Sequence, residues 1–298
     1  LQGLRDYFLF SADAEVTIEA NPGTLTPEKL SIYRKYGINR ISIGLQSPNN
    51  KELAMLGRIH NYAQFLESFQ MARAAGFSNI NVDLMFAIPG QSYDGWIENL
   101  QTVAALGPEH ISAYSLIIEE GTPFFRKKLD LPDEDTEYRM YEDVAAVLKE
   151  YDYHQYEISN YAKAGYECRH NEGYWQRKDY LGLGLGAASL LGMERFSNTA
   201  DMQEYLKNSS APEKIRKNRE LLTREDEMAE FMFLGLRMTQ GVSKKEFQEY
   251  FGTAIENIYG EVLKKYKKQG LLLEESGRIF LSREGIHVSN AVMADFLL

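Results

Sequence analysis

The sequence predicts an α/β protein built on a parallel sheet, followed by a small helical domain. Three apolar strands in the first third of the chain each end in one polar residue, at Glu19, Gln46 and Asp83. A turn and a helical pattern follow each strand, and this alternation predicts parallel strands joined by right-handed crossovers. Because a parallel barrel carries its functional groups at the carboxyl ends of its strands, these three side chains are expected to face one site.

The elements follow in order along the chain. Strands are predicted over residues 16–19, 40–46 and 80–83, with helices over 26–36 and 62–75 between them. Thr26 can cap the first helix, Pro27 suits its first position, and Gly37 can end it. A further helix over 96–106, a strand over 110–117, a helix over 136–151 and a strand over 155–158 continue the pattern. No strand that could begin a barrel precedes residue 16.

Composition and charge narrow the class of protein. With 298 residues, 44% hydrophobic and 26% charged, the chain suits one large and one small globular domain. Its start lacks the basic-then-apolar order of a signal peptide, so we expect a cytoplasmic location. The net charge of −10 argues against nucleic acid as the main partner. The one cysteine, Cys168, excludes a disulfide framework or a cluster held by several thiolates of this chain alone.

The chain is predicted to have three parts, over residues 1–160, 161–220 and 221–298. The middle part is the least regular, and its polar, basic stretch over 207–219 is predicted to be a linker. The last part begins with a helix that Thr223 can cap, continues with helices over 243–251 and 253–268, and closes with a hairpin turn at Ser276 and Gly277. This order predicts a winged-helix-like module. Its excess of acidic over basic residues argues against DNA binding.

Four polar residues are candidates for one ligand site. Glu19 could accept hydrogen bonds from a ribose diol or an ammonium group, or could cap the following helix. Gln46 offers both a donor and an acceptor, and Arg58 could hold a carboxylate with two parallel hydrogen bonds. Asp83 lies between a strand and a Pro-Gly turn. Each could be solvated, but because they follow successive strand ends, we expect at least three of them to contact a ligand.

A second candidate site is the segment His170-Asn171-Glu172-Gly173-Tyr174-Trp175. A histidine with neighbouring aromatic rings suits haem, because imidazole ligates iron and flat rings line the macrocycle. A histidine buried by its aromatic neighbours is also compatible with the segment, and the residues alone favour that second interpretation. The glycine-rich stretch over 181–186 allows either close approach to a ligand or tight packing.

Several motifs in one order resemble a known family. The segments IEANPGTLT, SIGLQS, LGRIH, DLMFAIPGQ and HISAYSL are similar to those of the coproporphyrinogen-dehydrogenase-like radical S-adenosylmethionine (SAM) proteins, and the resemblance spans nearly the whole chain. It implies a partial (β/α)6 barrel that binds SAM and a [4Fe–4S] cluster. By this match the SAM-contacting positions are Glu19, Gln46, Arg58 and Asp83.

The chain departs from that family at two motifs. The family's CxxxCxxC loop, which holds the cluster, and its GGGTP segment, which contacts the methionine end of SAM, do not occur in this sequence. We therefore expect a barrel without its first two strands, and a cluster only in a longer protein. Loss of two strands would leave an exposed sheet edge, which makes a homodimer a further expectation.

The HNxxYW pattern resembles the signature of the haem-chaperone branch of the family. The resemblance implies haem binding by His170, Asn171, Tyr174 and Trp175, with His170 as the axial iron ligand, and delivery of haem to respiratory acceptor proteins, with peripheral membrane association. Cys168 could compete as a thiolate ligand, although a structural role is favoured. The glycine-rich loop resembles a family loop with histidine where Ala188 stands, which weakens any metal role there.

Two other functions remain as alternatives. One is an oxygen-independent coproporphyrinogen III oxidase, in which a 5′-deoxyadenosyl radical abstracts hydrogen from the substrate's propionates. The other is a non-catalytic interaction protein whose barrel only presents the C-terminal module. The HNxxYW motif ranks the haem chaperone first.

Overall fold

The computed structural model describes residues 1–297, which divide into two compact units. The first unit is Leu1–Cys168, and the second begins at Arg169. The predicted boundaries at residues 160 and 220 stay a prediction.

The first unit is a six-stranded sheet flanked by helices, and its strand order is β1-β2-β3-β4-β6-β5. Strands β1 to β4 are parallel, and β6 is antiparallel to both β4 and β5. The strands are β1 (Thr17–Ala20), β2 (Arg40–Gln46), β3 (Ile80–Phe86), β4 (His110–Ser115), β5 (His154–Glu157) and β6 (Asn160–Ala162). The helices are α1 (Gln2–Tyr7), α2 (Pro27–Lys35), α3 (Asn50–Met55), α4 (Tyr62–Ala74), α5 (Tyr93–Ala104), α6 (Glu134–Glu142) and α7 (Val144–Lys149). The predicted parallel α/β fold is confirmed.

The sheet has one apolar face and one polar face. Successive side chains of a strand point to opposite faces, so alternate residues separate into two sets. One set packs with residues of α4 and α5, including Phe65 and Trp96, in the core of the unit. That set includes Ile41, Ile43, Leu45, Val82, Leu84 and Ile111. The other set carries polar side chains and includes Ser42, Asn81, Asp83 and Ser112.

The helix signals in the sequence correspond to real caps. The hydroxyl of Thr26 accepts a hydrogen bond from the backbone N–H of Lys29, and Pro27 is the first residue of α2. Asn61 and Gln64 form a reciprocal capping box at the start of α4. Each cap satisfies N–H groups that have no partner within the helix, which explains why the chain turns into helices at these points.

Several elements differ from the prediction; among them, β3 continues to Phe86, beyond residue 83. Helix α5 begins at Tyr93 rather than residue 96, because the hydroxyl of Ser92 caps it by accepting from the N–H of Gly95. The helix predicted over 136–151 is divided into α6 and α7 at Asp143, whose carboxylate accepts a hydrogen bond from the hydroxyl of Tyr93 at 2.7 Å. Strand β6 was not predicted, because three residues are too few to show a period.

The second unit combines a helix, two three-stranded antiparallel sheets and a helical bundle, with sheet orders β7-β8-β9 and β10-β12-β11. The helices are α8 (Arg169–Trp175), α9 (Met202–Asn208), α10 (Pro212–Ile215), α11 (Arg224–Gly235), α12 (Lys244–Phe251), α13 (Ile255–Lys268), α14 (Arg283–His287) and α15 (Ser289–Ala294). The strands are β7 (Ala188–Leu191), β8 (Glu194–Asn198), β9 (Arg216–Leu221), β10 (Val242–Ser243), β11 (Leu272–Glu275) and β12 (Arg278–Leu281). The three helices and hairpin of the predicted winged-helix-like module are α11, α12, α13 and β11–β12.

The predicted linker over residues 207–219 was wrong. This stretch forms the end of α9, all of α10 and most of β9, which pairs with β8. Strand β9 is solvent-facing, and its charges are paired with those of neighbouring elements: Arg219 with Glu194 at 2.6 Å and Lys217 with Glu204 at 2.6 Å. Its polar composition therefore reflects exposure rather than lack of structure. Within residues 1–297, no helix has the length and apolarity needed to cross a bilayer.

We expect Leu84→Ala to destabilise the first unit by about 2–5 kcal/mol, because it removes a fully buried side chain from the centre of β3 and leaves a cavity. Urea unfolding followed by circular dichroism measures the change. Ile117→Ala, at a side chain that is 78% exposed in the same unit, should change the free energy of unfolding by less than about 0.5 kcal/mol. Equal effects of the two substitutions would contradict the packing described for β3.

Candidate functional site

A polar cavity of about 530 Å³ lies at the carboxyl end of strands β1 to β4. All four residues predicted from the strand ends and the LGRIH segment line it together, which places them within one site. The lining residues are Glu19, Ala20, Asn21, Ser42, Gly44, Gln46, Arg58, Asp83 and Tyr114.

Arg58 lines the cavity and connects the residue after β1 with β2 through hydrogen bonds. It lies between α3 and α4, and its Nη2 donates to Asn21 Oδ1 and to the carbonyl oxygen of Gly44, both at 2.9 Å. A Cβ at Gly44 would lie 3.3 Å from Nη2 of Arg58 and 3.2 Å from Nε2 of Gln46. A Cβ at position 44 would therefore require both groups to shift by a few tenths of an ångström.

Gln46 has an unusual backbone conformation for its residue type. Its φ of 74° lies in the left-handed region, and the register between β2 and β3 is irregular just before it. Such conformations cost free energy and persist where neighbouring groups hold them. One such contact is visible, because the hydroxyl of Tyr114 donates to Oε1 of Gln46 at 2.9 Å.

A buried carboxylate supports the loop that follows Gln46. Oε2 of Glu52 accepts hydrogen bonds from Ser47 Oγ at 2.6 Å, Gln91 Nε2 at 3.0 Å and Asn99 Nδ2 at 2.9 Å. These donors come from the β2–α3 loop, the β3–α5 loop and α5. A buried carboxyl group that loses its hydrogen-bond partners raises the free energy of the folded state. This cluster therefore holds the three segments in one arrangement.

Asp83 is a partly buried carboxylate of the cavity. Its carboxylate accepts from Asn81 Nδ2 at 2.7 Å and from Ser42 Oγ at 3.3 Å. Burial raises the pKa of Asp83, and the nearby charge of Glu19 raises it further, while the hydrogen bonds act in the opposite direction. Burial and the charge of Asp83 also raise the pKa of Tyr114 to about 12.

A chain of buried polar groups continues from the cavity into the unit. Asn81 Oδ1 lies 2.5 Å from Nδ1 of His110, whose Nε2 lies 2.8 Å from the hydroxyl of Tyr156. The backbone N–H of Cys168 donates to that hydroxyl at 3.2 Å. Burial lowers the pKa of His110 well below its usual value, so this imidazole is neutral at pH 7. The Cys168 thiol is buried and lies 3.6 Å from a carboxylate oxygen of Glu15.

The predicted haem residues lie on helix α8, in the second unit. His170 is exposed, and its ring meets that of Tyr174 edge-on at 4.6 Å between centroids; Tyr174 in turn meets Tyr180 at 4.7 Å. Trp175 is about 140° around the helix axis from His170, at 100° per residue. Its indole packs against the guanidinium of Arg237 at 4.2 Å.

The four haem candidates therefore form two pairs. His170 and Tyr174 share one side of α8, while Asn171 and Trp175, also four residues apart, share another. Trp175 lines a different cavity of the second unit, of about 680 Å³, whose walls include Phe231. One flat ligand bound at His170 would contact Tyr174 in this arrangement rather than Trp175.

Sequence reasoning missed three polar residues of the first cavity and one ring that contacts Tyr174. Ser42 and Tyr114 could have been found from the alternation of polar and apolar residues within their strands. Asn21 is recognisable only once Arg58 is placed. Tyr180 is six residues from Tyr174, and no local pattern links the two.

Metal ligands are sparse in the described part of the chain. Residues 1–297 contain no group of three or more histidine, cysteine, aspartate or glutamate side chains that could hold a metal ion. The one cysteine of the sequence is buried. These residues do not fit a [4Fe–4S] cluster, which is held mainly by several cysteine thiolates.

Comparisons with known proteins agree with this architecture. The Radical SAM superfamily model matches residues 3–103, and the HemN C-terminal domain model matches residues 222–288. Coproporphyrinogen III oxidase (HemN) from Escherichia coli, a radical SAM enzyme, superposes with a TM-score of 0.84 at 22% identity, over 99% of this chain and 72% of that one. The two family models, together with the fold, thus place the chain in the class of radical SAM proteins with a HemN-type C-terminal domain.

Curated relatives narrow the class further. "Heme chaperone HemW" of Bacillus subtilis is 38% identical over 288 residues, which cover 95% of this chain and 76% of the relative. The HemW proteins of Lactococcus lactis and Escherichia coli are 37% and 34% identical, with 76% of each relative covered. The chain belongs to the HemW family.

We expect Asp83→Asn to leave the first unit at least as stable as the wild type at pH 7. A carboxyl whose pKa is raised by folding lowers stability as pH rises from its ordinary value of 3.8 through its raised value, because the unfolded chain ionises first. Urea unfolding at pH 7 and pH 3.5 measures this. The advantage of the variant should be largest at pH 7 and should disappear at pH 3.5. A wild type that gains stability over the variant as pH rises would contradict the assignment.

Proposed function

We propose that the protein is a haem chaperone that binds haem at helix α8 and SAM in the strand-end cavity. The observation that carries the haem part is the exposed imidazole of His170, which sits against the edge of Tyr174. Relatives that cover nearly the whole chain are named heme chaperones, which supports the same function. Haem is cargo in this proposal, not a resident cofactor.

The chemistry of α8 suits an iron porphyrin. A histidine imidazole is a common axial ligand of haem iron, and it must be accessible to reach a metal at the centre of a wide, flat ring. His170 meets that condition, and the rings of Tyr174 and Tyr180 provide adjoining apolar surface. We propose His170 as the axial ligand, Tyr174 as a contact of the macrocycle, and Asn171 and Trp175 as supports for the helix.

The strand-end cavity suits SAM in charge and in hydrogen-bonding groups. SAM carries an ammonium group, a carboxylate, a sulfonium and a ribose diol. Arg58 can pair with the carboxylate, while Glu19 and Asp83 can accept from the ammonium group or the diol. Gln46, with donors and an acceptor, completes the set. SAM bound to a cluster supplies a radical precursor in this superfamily, but residues 1–297 offer no cluster ligands, so we propose binding only.

Several finer features belong to the same proposal. They are delivery of haem to respiratory acceptor proteins, a cytoplasmic location with peripheral membrane association, and a homodimer. The alternative function, oxidation of coproporphyrinogen III, draws its support from the HemN-like fold, at 22% identity, and from the match of the HemN C-terminal domain model. Formation of protoporphyrinogen by the protein would favour that alternative.

We expect Gly44→Ala to weaken SAM binding by up to about tenfold, because the added methyl group crowds Arg58 and Gln46 and so weakens a charged hydrogen bond that is worth about 1.5–3 kcal/mol when fully formed. Isothermal titration calorimetry with SAM measures the change. Gly260→Ala is the matched control, since a Cβ there meets nothing within 4 Å. Equal SAM affinity in both variants would contradict the proposal that SAM binds in this cavity.

We expect His170→Ala to weaken haemin binding by at least about tenfold and to shift the Soret band, because the iron loses its proposed axial ligand. Absorbance titration with haemin measures both effects. His154→Ala is the control, because His154 is a half-exposed histidine of the first unit that is paired with Glu167 at 2.9 Å. If His170→Ala binds haemin with wild-type affinity and spectrum, the haem site is not at α8.

A further inference from the structure

The glycine-rich loop over residues 181–186 presents a row of leucines to solvent. Leu181, Leu183 and Leu185 are 44%, 57% and 41% exposed, and glycines alternate with them. Scattered exposed leucines are ordinary, but three at alternate positions of one short loop form a patch. Such a patch is typical of a surface that binds an apolar partner or ligand.

The loop is held in one shape by side chains of the neighbouring sheet. Nδ2 of Asn198, in β8, donates to the carbonyl oxygens of Gly182 at 3.1 Å and Gly184 at 2.8 Å. The N–H of Gly182 donates to Ser189 Oγ at 2.9 Å. A Cβ at Gly182 would lie 2.2 Å from the carbonyl oxygen of Ala188, so only glycine allows this approach. The leucines are therefore presented by a preformed loop.

The loop follows Tyr180, whose ring contacts an aromatic residue of α8. Tyr180, whose backbone pairs with that of Leu190, immediately precedes Leu181. The ring of Tyr180 contacts that of Tyr174, which contacts His170. The rings of Tyr174 and Tyr180 thus link the exposed imidazole to the residue that immediately precedes the loop. The motif and the loop lie within the same compact unit.

We propose that the loop over residues 181–186 is the apolar wall of the haem site, against which the porphyrin macrocycle packs when His170 ligates the iron. This inference rests on the proposed haem-chaperone function, and it adds a second contact surface to the haem site at His170. Haem is a wide, flat and largely apolar ring, so an imidazole alone buries little of it. Leucines on a rigid loop supply apolar surface without the entropy cost of ordering a flexible one.

Leu183→Asp, at the centre of the patch, tests the proposal by haemin titration of the purified protein. We expect haemin affinity to fall on the order of tenfold, because a leucine contact is replaced by a charge. The Soret maximum of the saturated complex should match the wild type, because His170 still ligates the iron. The matched control is Leu206→Asp, at a leucine of α9 that is 66% exposed in the same unit, and it should bind haemin normally.

The possible outcomes distinguish failure of this inference from failure of the proposed haem-chaperone function. If Leu183→Asp binds as tightly as Leu206→Asp while His170→Ala binds weakly, the loop is not the wall, and the chaperone proposal stands. If His170→Ala binds normally, the proposed function fails first. A change of oligomeric state in Leu183→Asp with unchanged haemin affinity would mean that a second copy covers the loop, which also overturns the inference. Leu183→Ser gives the same test without a charge if the aspartate variant misfolds.

Discussion

The parallel register of strands β1 to β4 is the constraint on which the first unit depends. It sets Glu19 opposite Ser42, and Asp83 opposite Ser112, so that polar side chains of separate strands meet in rows. The same register sends the intervening residues to the helices as an apolar layer. One pairing scheme therefore builds both the core and the cavity, and neither can change without the other.

Two features of the cavity raise the free energy of the folded state, and neighbouring contacts hold them in place. Asp83 is a carboxylate in a poorly solvated position, and Gln46 has a left-handed backbone. Both are typical of binding sites, where unfavourable features persist because they serve the ligand. The hydrogen bond from Tyr114 and the Glu52 cluster hold the segment around Gln46, and hydrogen bonds from Asn81 and Ser42 hold the carboxylate of Asp83.

Local patterns predicted the sheet and part of each site, and the limits have physical causes. Glu19, Gln46 and Asp83 followed from the rule that parallel strands end at a shared edge. Arg58 was a candidate because of its guanidinium group, but its contact with Asn21 could not be predicted, because that contact depends on how two loops fold back. Trp175 was grouped with His170 because the two belong to one contiguous motif. On a helix, however, residues five positions apart point in directions about 140° apart around the axis. Strand β9 was mistaken for a linker because its charges are paired only in the folded sheet.

The two-faced strands have a consequence for how this family can diverge in length. Inserting or deleting one residue inside β3, before Asp83, would turn every later side chain of that strand to the opposite face, sending Asp83 into the core and Leu84 into the cavity. Substitutions can accumulate one at a time, but such an insertion changes a whole strand at once. Length variation among relatives should therefore fall in the connections between strands and helices, while the strands keep a constant residue count.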